Sequence, residues 1–131
     1  MLKNYGFGKV VKMSFTDAVA KTRAALQANA WGVLTEMDVC QIMKEKMNKD
    51  VPKYLILGVC NPPFAARSLD AEPTIGLLMP CNFVVREDKA GKVHVEVLDA
   101  NAILGLIKKN PKMAQLKKEV LASTKKILKA I

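Results

Sequence analysis

Tyr54-Leu-Ile-Leu-Gly-Val-Cys60 is apolar without a break and stops at Asn61-Pro62-Pro63. A strand that is apolar on both faces belongs in the middle of a sheet. Asparagine caps helices, and proline suits a first helical turn, where its missing N–H would be unpaired anyway. The segment therefore reads as a central strand that turns directly into a helix over about Pro62 to Ala71. A second apolar run, Thr74-Ile-Gly-Leu-Leu-Met-Pro80-Cys81-Asn82, also delivers a Cys-Asn dipeptide. Pro80 cannot donate to a ladder, so the strand region expected from Thr74 to Glu87 must bulge or lie at an edge there. On an unbroken strand Cys81 would share a core face with Ile75, Leu77, Met79, Phe83 and Val85. A bulge would turn it outward.

The flanking pattern supplies the rest of a domain. Phe7 to Met13 alternates as a first strand. Ser14 is a good N-cap with Asp17 three residues on, and Phe15, Ala18, Val19, Thr22, Leu26 and Ala30 follow as a helical stripe closed by Gly32. Trp31 to Val39 reads as a strand of period two, with Val33, Thr35, Met37 and Val39 on one face and Leu34, Glu36 and Asp38 on the other. A short helix runs from Cys40 to about Met47. Asp88-Lys-Ala-Gly91 closes a hairpin into Val93, Val95 and Val97. Ala100 to Lys109 is a short helical piece, and Met113, Leu116, Val120, Ile127 and Ile131 mark the buried face of a terminal helix. Two long helices with a largely antiparallel sheet make an α+β domain, and a chain of 131 residues is one domain, 1–131.

A net charge of +9 suggests nucleic acid until it is located. Residues 1–30 carry +4, residues 31–100 carry −2 and residues 101–131 carry +7, so the excess sits at the ends, away from the Cys-Asn segments. A lysine-rich helix face is usually solvated. No arginine cluster or interleaving of basic and aromatic residues adds to it, which argues against nucleic acid as a partner. No apolar run reaches the ~20 residues of a membrane span, and the N-terminus lacks the apolar centre of a secretory signal. The expectation is a soluble, cytoplasmic protein with no membrane partner. Its three cysteines should then be free thiols, ligands or redox groups rather than structural bridges.

Gly32-Val-Leu-Thr-Glu36-Met-Asp38, Leu57-Gly-Val-Cys60-Asn-Pro62 and Ile75-Gly-Leu-Leu-Met-Pro80-Cys81-Asn82, in that order, resemble the domain-of-unknown-function 302 family of bacteria and archaea. The resemblance runs from about Phe7 to the terminal helix. It implies a fold like that of the TATA-binding protein: strand, helix, four antiparallel strands, helix, with one helix-covered face and added helices. It also implies a homodimer. It implies no activity. Family members tend to carry Asp-Pro after the last strand where this chain has Asp99-Ala100, which bears on the path into the terminal helices.

The candidate site gathers at the strand ends: Glu36, Cys60, Asn61, Arg67, Cys81 and Asn82. Cys60 precedes a helix start, whose dipole favours thiolate, yet it ends a buried strand, which opposes it. Cys81 could be its redox partner or plain packing. Glu36 and Asp38 are paired carboxylates on one strand face, suited to acid–base work or simply to a wet surface. Asn61 could hold an anion, but Pro62 and Pro63 remove two donors. Arg67 has Asp70 three residues on as a surface partner. Asn82 suits a turn or bulge. His94, beside Lys92 and Glu96, should be solvent-exposed. No motif for zinc or covalent haem is present, so no metal is assigned and the cofactor is unknown. Three functions fit: a small-ligand-binding or thiol-sensing homodimer, a thiol-dependent redox enzyme using Cys60 and Cys81, or a nucleic-acid binder working through the terminal lysines.

Overall fold

The computed structural model describes residues 4–107 and 109–131. The chain runs β1 (Gly6–Val11), α1 (Phe15–Ala28), β2 (Gly32–Asp38), α2 (Val39–Met47), β3 (Tyr54–Cys60), α3 (Pro62–Ala71), a 3-10 turn (Ile75–Leu78), β4 (Cys81–Glu87), β5 (Val93–Leu98), α4 (Ala100–Leu104) and α5 (Pro111–Lys129). The strands form one sheet in the order β1-β5-β4-β3-β2, every neighbouring pair antiparallel. The expected α+β architecture is present; β4 is the central strand, and β3, expected there, is an interior strand next to the edge strand β2.

Register explains which face is buried. Phe83 stands opposite Leu57 and Val97, and Val85 opposite Leu55 and Val95. These side chains share one face, and Leu57, Phe83, Val85 and Val95 are fully buried. α1 and α5 cover that face. Ser14 accepts from the Asp17 N–H and starts α1 as expected. Its end differs: Ala30 takes the left-handed φ of 63°, the Trp31 N–H returns to the Leu26 carbonyl, and Gly32 instead opens β2. Buried Thr22 and Thr124 satisfy their hydroxyls on the Ala18 and Val120 carbonyls, so each polar group is silent inside the core.

Three expectations change. The β2–β3 register shifts between Val33 and Thr35, which leaves Leu34 as the extra residue of a bulge. One inserted residue reverses the alternation beyond it, so Glu36 joins Val33 on the helix-covered face. The segment before Pro80 is a 3-10 turn rather than strand, so Cys81 opens β4 and shares a face with Phe83 and Val85 but not with residues 75–79. The Pro80 ring lies over Gly58, where an added Cβ would come within 2.8 Å of it and collide with the Thr35 side chain. The helical piece expected to reach Lys109 covers only Ala100–Leu104, and position 108 lies outside the described residues. Asp99 caps it by accepting from the Asn101 N–H.

The opposite sheet face carries Met37, Ile56 and Val84 in one row and Tyr54, Arg86, His94 and Val10 in the next. Met37 and Val10 are half-exposed there. Arg86 grips Glu96 with two hydrogen bonds of 2.7 and 3.0 Å. His94 is more covered than its alternation implied, because its Nε2 lies 2.8 Å from Asp88 Oδ2 in the hairpin turn.

Candidate functional site

The end of β3 and the start of β4 meet at one margin of the sheet, with Val59 opposite Cys81 and Cys60 opposite Gly32. Beyond this margin α3, the 3-10 turn, α4 and the first half of α5 gather round a second apolar cluster centred on Ile75, Met113 and Leu116. Between this cluster and the main core lies a cavity of about 100 Å³. Trp31, Phe64, Met79, Ile103 and Met113 contribute to its walls, and Cys60 and Cys81 both line it. Trp31 is fixed from both sides, its indole N–H donating to Ser123 at 2.8 Å and its ring tilted against Phe64.

The polar side chains of the wall are largely bonded within the protein. Asn61 accepts from the Phe64 N–H at 3.1 Å, as its capping role demands, and donates to the Ala30 carbonyl at 3.3 Å. The Ser68 hydroxyl donates to the Phe64 carbonyl at 2.8 Å. Burial pushes the Cys81 thiol up to about 12, so it stays protonated at neutral pH. Cys40, Cys60 and Cys81 are all free. Cys40 is far from the cavity wall in role as well as in sequence: its thiol donates to the Val51 carbonyl at 3.3 Å.

Of the six residues expected at the site, Cys60, Asn61 and Cys81 line this cavity, whereas Glu36, Arg67 and Asn82 do not. Glu36 stands opposite Leu57, well along β2 from the margin, and pairs with Arg23 of α1. Asp38 is occupied elsewhere, capping α2 through the Gln41 N–H, so the two carboxylates do not form an acid–base pair. Arg67 reaches across to α5 rather than to Asp70, holding Glu119 through two hydrogen bonds of 3.0 and 2.5 Å. That hydrogen-bonded pairing raises the Arg67 guanidinium above its ordinary value and lowers the Glu119 carboxyl below its own. Asn82 is exposed on β4 opposite Gly58, on the other sheet face, and holds no turn. Among the described residues no three His, Cys, Asp or Glu side chains come together as a metal site.

Across the chain, residues 7–131 match the family described as Domain of unknown function DUF302. The chain belongs to the DUF302 family. Its fold agrees with the crystal structure of an uncharacterized conserved DUF302 protein from Bacillus stearothermophilus, at 21% identity, with 98% of each chain covered and a TM-score of 0.89. No curated protein matches the chain. The path into the terminal helices, which the Ala100 departure had left open, runs through Asp99 as the cap of α4.

Sequence reasoning did not single out Lys117 of this DUF302 chain. It lines the cavity and is half-buried, while its neighbour Lys118 is exposed. The signal was present: position 117 follows Leu116 and lies four residues after Met113, which puts it at the border of the buried stripe of α5. A lysine there lays its stem on apolar surface and keeps its ammonium toward water. Among the described residues no helix is long and apolar enough to cross a membrane.

Proposed function

We propose that the domain is a homodimeric binding module that holds a small, largely apolar molecule in the cavity at the β3–β4 margin. The observation that carries this reading is an apolar hollow whose Asn61 and Ser68 side chains are already hydrogen-bonded within the wall. Such a site gains from burying apolar surface and demands little polar complementarity. A redox enzyme built on Cys60 and Cys81 draws on the same wall, but it needs thiolate, and burial holds Cys81 in the neutral form. Three free thiols suit a reducing compartment, which supports the cytoplasm as the place of action.

Titration with pentan-1-ol, followed by amide NMR, tests the cavity. Saturable shifts should appear at Trp31, Ala65 and Cys81 with millimolar affinity and vanish in Ala65→Leu, which fills the hollow from α3. Shifts that never saturate, or that persist unchanged in the filled variant, would remove the reading.

The dimer is assigned to the helix-free sheet face. Its partly buried ion pair is closed in place, Arg86 against Glu96, and Asp88 is hydrogen-bonded to His94, on a molecule of net charge +9. Two copies can meet there around Met37, Ile56 and Val84 without opposing lysine surfaces. Sedimentation should give a dimer at micromolar concentration and a monomer for Ile56→Lys. A monomeric parent protein would contradict it.

A further inference from the structure

The cavity does not end at its apolar wall. Lys117 also lines an adjoining open hollow together with Lys109, Asn110 and Pro111, so this residue borders both the apolar cavity and open, water-filled space. The charges around it favour an anion. Glu119 on the same helix is bound by Arg67, and Glu72 lies 3.3 Å from Asn110 Nδ2, so both nearby acids already have donors. Residues 101–131 carry a net +7, which biases the mouth further.

We infer that the ligand is a monocarboxylate with a short aliphatic tail, the tail in the cavity and the carboxylate at Lys117. This deepens the cavity reading and rests on it. Size sets the tail: a cavity of roughly 150 Å³ admits benzene, so about 100 Å³ takes a body of about four carbons. Chemistry sets the head. A thiol is a weak donor, and the amide of Asn61 is already engaged on both of its ends. An ammonium offers three donors and a full charge for a carboxylate at the mouth of the cavity. An alcohol of the same length would keep the tail contacts and lose the charged one.

Calorimetric titration with pentanoate and with pentan-1-ol separates the claims, using the parent protein, Lys117→Met, Lys118→Met and Ala65→Leu. Pentanoate should bind about tenfold more tightly than pentan-1-ol. Lys117→Met should remove that advantage and leave pentan-1-ol binding within about twofold, because methionine keeps the apolar stem. Lys118→Met should change neither ligand. Raising the salt to about 0.5 M should weaken pentanoate alone. Equal affinities for the two ligands, unaffected by Lys117→Met, would overturn the carboxylate assignment while the cavity reading stood. Equal losses in Lys117→Met and Lys118→Met would also overturn it, since a diffuse field would then replace a specific contact. Absence of binding by both ligands, or binding that survives in Ala65→Leu, would sink the cavity reading itself.

Discussion

Under α1 the sheet is sealed, whereas at the β3–β4 margin it is hollow. Leu57, Phe83 and Val95 are fully buried beneath α1 and α5, and Ala18 and Leu26 of α1 reach them with no exposure of their own. At the margin, Phe64, Met79 and Ile103 are only half-covered and surround open space. The two regions share β3, β4 and α5, so strand and helix chemistry is not the difference. Length is. Helices of 14 and 19 residues cross the sheet and present regular stripes to a regular alternation. The margin is roofed by α3 with 10 residues, a turn of four and α4 with five. Short pieces that approach at separate angles leave voids that long interlocking stripes do not.

Two alanines on helices make the contrast measurable. Ala18→Leu inserts volume into the sealed side and should cost about 1–3 kcal/mol in urea unfolding. Ala65→Leu inserts the same volume beside the hollow and should change stability by no more than about 0.5 kcal/mol, or raise it, because new contacts form where there were none. Equal losses at both positions would mean that the margin is as tightly packed as the core, and the contrast would fail.

The sealed side was legible in the sequence because its signals are periodic. Val93, Val95 and Val97 alternate, Ala18, Thr22 and Leu26 recur along a helix face, and both patterns specify what they touch. Ser14 and Asn61 each announce a helix start through one side chain, and both caps form. The margin was legible only in part. Cys60, Asn61 and Cys81 were placed at strand ends by the Asn-Pro-Pro and Pro-Cys-Asn punctuation, and they line one cavity. Glu36 falls on the helix-covered face through a single-residue bulge at Leu34 that has no local signature, yet it misses the cavity because it stands opposite Leu57, well along β2 from the margin. Residues 75–78 were read as strand because a short apolar run has no period long enough to separate a strand from a turn. Arg67 met Glu119 rather than Asp70 because a contact 52 residues away in sequence leaves no trace in local spacing.

Cys81 belongs to both regions, packing against the main core while lining the hollow, and its titration reports which one controls it. Its thiol is raised from 9.0 to about 12 by burial. Below the unfolded value both states hold the proton, and the neutral thiol contributes its full stability. Above it the unfolded chain loses the proton while the folded chain keeps it, so stability falls as pH rises toward the folded value. The expected slope over that window is about 1.4 kcal/mol per pH unit for this group. Lysines and tyrosines also titrate there, so the measured quantity is the difference between the parent protein and Cys81→Ala in reducing urea melts. That difference should be flat up to about pH 8 and shrink steadily by about pH 11. A difference that stays constant throughout would show water reaching the sulfur, and the hollow would then be a wet cleft rather than an apolar chamber.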